Sequence, residues 1–354
     1  MTDARKKVNL MLDSGAFSAW FHGDDSLDIK AYIAFVRAHE HLIDTCVSLD
    51  VIPGTRGRMD RSPEEIDKSA AASYRNHQIM KDAGLSPIPV FHMGERFFWL
   101  DKMLAEGEDY IGISPYLRAG VRDIIKWADD CFSAITDSKG RPLVKTHGFG
   151  ATGWRVLTRY PWTSADSVSW AKVAGFAVVK VPQIDLAGEP DLSRPPVSVY
   201  VGSEARSSGS SGTSFDDLSH PEQQRIIDFA AAMGFTMAEL RTDHECRKAL
   251  NIGYFKLIES HAALRVVFAS KFDAHLQNNT MTRHGGNNRL LSYFALRDED
   301  PESIERYVRD GTLKIDYRRR TPSTNWESKA YKDYRRRQLV SRFCDGQAKR
   351  DSTR

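Results

Sequence analysis

Three aspartates of this chain stand where short apolar runs end, and carboxylates so placed can do acid–base or nucleophilic chemistry. Asp13 follows the run 8–12, Asp50 lies near the end of the run 44–52, and Asp166 lies in the run 162–170. Each run has the length and composition of a short buried strand. An acid followed by Ser-Gly is also common in turns and helix N-caps, so one copy says little. The repetition of the arrangement is what points to a site.

Other polar residues follow further apolar runs. His92 and Glu95 come directly after the run 87–91, and His147 stands in the run 143–150. Glycines that allow close approach of the backbone occur at the same places: Gly112, Gly148 and Gly150. Several acids without a cysteine cluster are typical of a hard metal ion or of carboxylate chemistry at a sugar carbon. The metal interpretation requires closely paired acids, which none of these runs contains.

Elements of alternating type must position these residues. Strands are predicted near residues 8–12, 44–52, 87–91, 110–114, 143–150 and 162–170. Helical spacing of apolar residues predicts helices between them, including one over 28–39 and one that begins at Ser62 and stops at Gly84. Six strands alternating with helices indicate a parallel α/β sheet, and short connections favour a closed TIM-type (β/α)8 barrel. The alternative is an open doubly wound sheet, disfavoured because the chain lacks Gly-x-Gly-x-x-Gly.

The second half of the chain has a different pattern. Runs 176–181 and 197–201 are either a hairpin insertion or the last barrel strands, and helices are predicted over 221–233 and from 236 to about 275. We therefore divide the chain into a barrel core, a flexible linker or insert, a helical completion or appendage of the barrel, and a basic tail. Their predicted ranges are 1–205, 206–220, 221–310 and 311–354.

Composition sets the class of protein. The chain has 354 residues, of which 41% are hydrophobic and 27% charged, as in a globular protein with a sizeable core. It contains no apolar run long enough for a membrane span and no signal-peptide core, so we expect a cytoplasmic protein without membrane contact. Four scattered cysteines without a Cys-x-x-Cys pair predict a reducing compartment and no disulfide framework.

Positive charge is concentrated in the tail. Residues 311–354 carry thirteen Lys or Arg and five Asp or Glu, a net charge of +8, whereas the whole chain has +3. A basic tail on an acidic body suggests a polyanionic partner, the alternative being a solvated tail without a partner. The tail contains two arginine triplets: Arg318, Arg319, Arg320, Arg335, Arg336 and Arg337.

Six of these segments resemble, in the same order, the motifs of the tRNA-guanine transglycosylases. Residues 13–17, Asp-Ser-Gly-Ala-Phe, resemble that family's Asp-Ser-Gly-Gly-Phe, and Leu49-Asp50 resembles its base-recognising strand. Residues 91–94, 110–113 and 147–150 fall where the family has Val-Gln-Gly-Gly, an Ile-Gly-Gly strand and Met-Gly-Val-Gly; residues 165–167 replace its Phe-Asp-Cys. Residues 12–20, together with Pro-Val-Phe-His at 89–92, are most similar to the DpdA group of phage and bacterial DNA-guanine transglycosylases. The resemblance covers residues 8–170 and, more loosely, 235–265.

The resemblance implies a base-exchange glycosyltransferase that replaces guanine in DNA with a 7-deazaguanine, such as 7-cyano-7-deazaguanine. Asp166 would be the nucleophile of a covalent aspartyl-sugar intermediate, and Asp13 the general acid and base. Asp50 would accept hydrogen bonds from the ring N–H and amino group of guanine. The other base-binding residues implied are Ser14, Phe17, His92, Gly112, Ile113, His147 and Gly148. Aromatic walls of the pocket are expected from Phe17, Phe91, Tyr116 and Phe149.

The implied partners are double-stranded DNA, with the target guanine flipped into the barrel mouth, and a free 7-deazaguanine base. The tail arginines would bind phosphates. If the protein is phage-encoded, its location is the host cytoplasm. The sequence leaves open which 7-deazaguanine enters, the target sequence, the oligomeric state and the need for a partner protein.

The chain departs from the family in its metal site. The tRNA enzymes bind a structural zinc through Cys-x-Cys-x-x-Cys and a distant histidine, but residues 243–248 contain only Cys246, with His261 further on. We therefore expect no structural zinc, no other metal and no required cofactor. The same departure disfavours tRNA, which stays the alternative substrate. Two further alternatives are a metal-dependent barrel hydrolase and a catalytically silent nucleic-acid-binding barrel; the presence of Asp13 and Asp166 argues against the silent barrel.

Overall fold

The structure is a computed structural model, which describes residues 9–22, 27–54, 61–116, 118–185, 189–203, 212–262, 268 and 291–293. The predicted basic tail 311–354, with its six arginines, lies outside the described residues. In chain order the strands are β1 Met11–Leu12, β2 Thr45–Cys46, β3 Val90–His92, β4 Tyr110–Ser114, β5 Lys145–Gly148, β6 Ser164–Asp166, β7 Val178–Val181, β8 Gln183–Ile184, β9 Pro190–Asp191, β10 Val197–Tyr200, β11 Thr213–Ser214 and β12 Leu291–Tyr293.

Ten α-helices occur within the described ranges. They are α1 Ala16–His22, α2 Ile29–Ala38, α3 Pro63–Asp82, α4 Phe97–Ala105, α5 Val121–Ala134, α6 Trp154–Leu157, α7 Ser169–Gly175, α8 His220–Ala232, α9 Met237–Thr242 and α10 His244–Ala262. None of the helices in the described part of the chain is both long enough and apolar enough to cross a membrane.

Parallel strands, all but one of them from the first half of the chain, form the framework that carries the predicted site. Five of them form one sheet in the order β12-β6-β5-β4-β3, and β1 pairs with β2 in the same parallel sense. A parallel bridge between Val47 and Ile88 joins the two sheets, because it links the residue after β2 to the segment before β3. The predicted alternation of parallel strands and helices is confirmed, and the fold is mixed α/β.

The runs 176–181 and 197–201 form an antiparallel pair. Strand β7 pairs antiparallel with β10, which also pairs with β11 in a separate three-stranded sheet. Apolar residues of this sheet, including Val179 and Val199, pack with residues of α8, α9 and α10. Phe215 lies in the same cluster, so residues 212–217, in the range predicted as a linker or insert, include a strand and a buried aromatic anchor.

Helix ends follow their local sequence. Ser62 caps α3 in a capping box with Glu65, as the Ser-Pro-Glu-Glu pattern predicts. The single long helix expected from residue 236 is wrong, because the chain breaks at Asp243, whose backbone is extended. Its carboxylate accepts a hydrogen bond from the Glu245 N–H at 2.8 Å, which favours a new helix start over continuation of α9.

The largest apolar cluster supports the strand ends that carry the polar residues. Phe91, Ile111 and Ile113 from the sheet pack there with Phe132 of α5 and with Tyr160. Tyr160 and Phe132 stack with ring centroids 4.5 Å apart. Because closely packed interiors resist displacement, this cluster holds the carboxyl ends of β3 to β6 in a rigid arrangement.

Candidate functional site

Three carboxylates meet at the carboxyl-terminal edge of the parallel strands. Asp13 follows β1, Asp50 lies shortly after β2, and Asp166 ends β6. The negative charges of Asp50 and Asp166 both act on the carboxyl group of Asp13. The three predicted acids are therefore brought together, although their strands are far apart in the sequence.

Asp13 is an acid suited to proton transfer near neutral pH. Partial desolvation of the carboxyl group, followed by the charges of Asp50 and Asp166, raises its pKa from 3.8 to about 6, while the backbone N–H of Ser14 opposes this. That N–H donates to Oδ1 of Asp13 at 2.8 Å. A carboxyl group with such a pKa exists in both protonation states near pH 6, as a general acid and base requires.

Asp50 is held on both of its oxygens. The Ser14 hydroxyl donates to Oδ1 at 2.8 Å, and Nε2 of His92 lies 2.9 Å from Oδ2. Ser14 Oγ in turn accepts from the Ala16 N–H at 3.2 Å, which orients the hydroxyl proton towards Asp50. Asp50 is thus fixed as an acceptor, and each oxygen keeps a further lone pair for a donor.

His92 differs from the base contact that the resemblance implies. Its Nδ1 lies 3.0 Å from Oε1 of Glu95 and its Nε2 contacts Asp50, so both ring nitrogens are engaged by the protein. Ionised carboxylates only accept hydrogen bonds, so both nitrogens carry protons and the ring is an imidazolium. Burial opposes that charge, but the two carboxylates outweigh it and raise the pKa of His92 to about 10. His92 therefore positions Asp50 instead of reading a base directly.

Asp166 is held mainly through one oxygen. Its Oδ1 accepts from the Gly150 N–H at 2.9 Å, and Nε2 of His147 lies 3.5 Å from the same atom. The side chain of Asp166 is about one-quarter exposed, whereas that of His147 is buried. The carboxylate is therefore anchored from inside the protein and accessible from outside.

His147 is itself fixed by a chain of polar groups. Its Nδ1 lies 2.6 Å from Oγ of Ser164, and that oxygen is 2.5 Å from the hydroxyl of Tyr110. The ring of Phe149 meets the imidazole edge-on with centroids 4.4 Å apart. Sequence reasoning missed Ser164 and Tyr110, since a serine and a tyrosine within predicted strands carry no signal of their own.

The space beside the two glycines expected to admit a base is occupied by other side chains of the protein. A Cβ on Gly112 would lie 2.6 Å from the Phe149 ring, and one on Gly148 would lie 2.7 Å from Cβ of Ala151. The absence of a side chain therefore makes room for packing at both positions. Ile113 is fully buried in the core, and its carbonyl accepts from the Phe149 N–H at 3.1 Å. These contacts leave the expected base-binding role of Gly112, Ile113 and Gly148 without structural support.

The expected aromatic walls fall into two groups. Phe17 on α1 is 41% exposed and lies beside the strand end that carries Asp13, as a wall or stacking residue must. Phe91 is fully buried and packs on Trp127 with ring centroids 5.9 Å apart, so the expectation that it lines the pocket is wrong. Alternation along β3 explains this, because His92 points towards the acids and Phe91 to the other face.

A cation that the sequence did not single out lies at the same edge. The guanidinium of Arg61 stands over the Tyr116 ring at 4.0 Å, and its Nη2 donates to the Met93 carbonyl at 3.1 Å. Glu95 also acts on its charge. Tyr116, which is expected to line the pocket, therefore packs against the guanidinium of Arg61.

Metal ligands are sparse in the described ranges, where no group of three His, Cys, Asp or Glu side chains is arranged to hold an ion. Near the cysteine expected to lack zinc, the thiol of Cys246 lies 3.6 Å from Oδ2 of Asp243. Nε2 of His244 contacts Oε1 of Glu245 at 3.0 Å. The absence of a structural zinc stays a prediction.

Comparison of the chain with protein-family models, with curated proteins and with solved structures found no match.

Proposed function

We propose that the protein is a base-exchange glycosyltransferase that replaces guanine in DNA with a 7-deazaguanine. The observation that carries the proposal is the joint action of Asp50 and Asp166 on Asp13, an acid whose pKa is raised to about 6. Base exchange at a sugar carbon needs a nucleophilic carboxylate and a proton donor in one site. Asp166, accessible at the edge of the sheet, fits the first role; Asp13 fits the second.

The reaction requires two displacements. Asp166 bonds C1′ of the target nucleotide while the C1′–N9 bond breaks, and guanine takes the proton of Asp13 as it leaves. The incoming base then gives its N9 proton to the Asp13 carboxylate and bonds C1′, and the electron pair of the ester bond returns to Asp166. Asp50, fixed by Ser14 and His92, accepts from the N1–H and amino group of both bases.

We further propose that the parallel strands close into a TIM-type barrel. The pairings run β1–β2, then the Val47–Ile88 bridge, then β3 through β6 to β12, so strands follow one another around the sheet nearly in chain order. Polar residues at the carboxyl ends of barrel strands share one pocket. An experimental structure that showed an open edge at β1 would contradict closure.

DNA is the proposed substrate, because the resemblance is strongest to the DNA enzymes and the tail carries a net charge of +8. In a duplex the target guanine must leave the stack to reach the acids. A protein in the cytoplasm meets both DNA and tRNA, so the competing substrate is tRNA with the same chemistry.

Nucleoside analysis tests the proposal. DNA and tRNA are isolated from cells that express the full chain and are supplied with 7-cyano-7-deazaguanine, then digested and analysed by mass spectrometry. We expect a 7-deazaguanine nucleoside in DNA with the wild-type protein and none with Asp166→Asn or Asp13→Asn. The variant Asp137→Asn, whose carboxylate contacts Arg141 and none of the site residues, is the matched control and should retain the modification. If the modified nucleoside were found only in tRNA, tRNA and not DNA would be the substrate. If it were found in neither nucleic acid, the proposed function would be overturned.

A further inference from the structure

We propose that His147 and the backbone N–H of Gly150 form a two-donor site on Oδ1 of Asp166, which leaves Oδ2 to bond the sugar and helps the bond break again. This inference rests on the proposed function and assigns a division of labour between the two oxygens of the nucleophile. It makes His147 a positioning residue for Asp166.

The division follows from where the donors lie. The Gly150 N–H reaches Oδ1 at 2.9 Å and Nε2 of His147 lies 3.5 Å from the same atom. Within the described part of the chain, no group donates a hydrogen bond to Oδ2. A carboxylate oxygen without donors is the more nucleophilic one, because its lone pairs are not stabilised by protons.

Neighbouring groups fix the proton on the required nitrogen of His147. Nε2 faces Asp166 at 3.5 Å, and because an ionised carboxylate can only accept, we assign the ring proton to Nε2. Ser164 then donates from its hydroxyl to Nδ1, and Tyr110 donates to Ser164 Oγ; these contacts measure 2.6 and 2.5 Å. Phe149, which occupies the space above Gly112, limits rotation of the ring. The chain Tyr110–Ser164–His147 thus selects one tautomer and one orientation.

The two donors act on the ester as well as on the free carboxylate. When Oδ2 bonds C1′, Oδ1 becomes the ester carbonyl oxygen. As the incoming base displaces Asp166, negative charge returns to the carboxylate, and donors already aimed at Oδ1 stabilise it without reorganisation. Removal of a donor should therefore raise the amount of ester relative to free enzyme, because the departing carboxylate is less stabilised.

The experiment measures the trapped ester. The full-length protein is incubated with end-labelled fragments of plasmid DNA and tritiated guanine, and the fraction of covalent protein–DNA adduct is read on denaturing gels while guanine exchange is followed by counting. We expect His147→Leu to exchange guanine more slowly yet to raise the ratio of adduct to free enzyme about tenfold, the effect of losing a hydrogen bond to a charged group. His147→Gln, which keeps an N–H near the Nε2 position, should restore part of the wild-type ratio.

A second buried Ser–His pair provides the matched control. Nδ1 of His77 lies 2.7 Å from Oγ of Ser48, but its Nε2 contacts Glu108 at 2.9 Å. We expect Ser164→Ala to raise the adduct ratio and Ser48→Ala to leave it unchanged. Loss of folding alone would lower exchange and adduct together in either variant, so it cannot imitate a raised ratio.

Nitrogen NMR of the imidazole gives a readout independent of activity. With histidine labelled by ¹⁵N and the signal assigned through His147→Leu, we expect a proton on Nε2 of His147 and a shift of Nδ1 in Ser164→Ala. Exchange by the wild-type protein with an unchanged adduct ratio in His147→Leu, or an unprotonated Nε2, would overturn the inference alone. Absence of guanine exchange by the wild-type protein, with the DNA fragments and with tRNA assayed in the same way, would overturn the proposed function and the inference with it.

Discussion

Nε2 of His92 lies 2.9 Å from Oδ2 of Asp50, and the opposite ring nitrogen lies 3.0 Å from Glu95, so a buried imidazolium joins two carboxylates. The folded protein keeps this proton up to a pKa of about 10, whereas the unfolded chain releases it near 6.5. The stabilisation is therefore complete below pH 6.5 and is lost as the pH rises towards 10. We expect the free energy of unfolding to fall by about 1.4 kcal/mol per pH unit in this window.

Urea denaturation at several pH values checks this prediction. His92→Gln should abolish the decline, and Glu95→Gln, which leaves the imidazole one carboxylate partner, should shorten it. An identical pH profile for the wild-type protein and His92→Gln would contradict an imidazolium at this position.

The protonation of Asp13 should also make stability depend on pH. In contrast to His92, the folded state here disfavours the charged form, and the pH range is more acidic. The pKa of Asp13 rises from 3.8 to about 6 on folding, so the folded state disfavours the carboxylate. The resulting cost is absent below pH 3.8, grows up to about pH 6 and stays constant above it. We expect Asp13→Asn to stabilise the fold at pH 8 and to change its stability little at pH 4, in chemical denaturation.

The control for Asp13 is Asp137, a half-buried acid whose pKa is lowered. The N–H groups of Arg141 and Lys139 donate to its Oδ1, each at 2.8 Å, so folding favours the carboxylate. Asp137→Asn should weaken the fold at pH 8 and have no effect in strong acid. If both asparagine variants changed stability in the same direction at pH 8, the raised pKa of Asp13 would be refuted.

Gly112 should tolerate no side chain, because the Phe149 ring occupies its Cβ position at 2.6 Å. We expect Gly112→Ala to lower the free energy of unfolding by about 1 to 3 kcal/mol, as other overpacked sites do, and to displace the ring that contacts His147. Thermal or urea unfolding measures the first effect, and the NMR signal of His147 reports the second.

Gly175 is the matched control, since a Cβ there would meet nothing within 4 Å and the residue ends α7 at an exposed position. Gly175→Ala should be neutral or stabilise by up to about 1 kcal/mol. Equal losses of unfolding free energy in the two variants would mean that the cost at Gly112 comes from the backbone and not from a clash with Phe149.

The tail arginines should control the salt dependence of DNA binding. If the six arginines of the two triplets bind phosphates, replacing them by alanine should reduce the slope of log K against log salt by about 0.9 for each phosphate that is no longer neutralised. A variant with six lysines keeps the charge and should keep the slope. Titrations of duplex DNA at several salt concentrations measure both; an unchanged slope in the alanine variant would show that the tail does not bind phosphates.

Local sequence was enough to predict the alternation of elements and the placing of the acids at strand ends. Strand β4 has the predicted bounds 110–114, and α3 begins at the predicted cap, because local periodicity and capping act over a few residues. The break at Asp243 shows the limit of this reasoning: one carboxylate that competes for backbone N–H groups splits a periodic helix.

The partner of each polar group, in contrast, follows from tertiary contacts alone. Whether His92 faces a base or two carboxylates, and whether Gly112 admits a ligand or Phe149, depends on side chains contributed by other strands. The pairing of 178–181 with 197–200 as antiparallel strands likewise depends on register across a sheet. Such contacts join residues distant in the chain, so their energies, which set the charge of His92 and the pKa of Asp13, are absent from any local pattern.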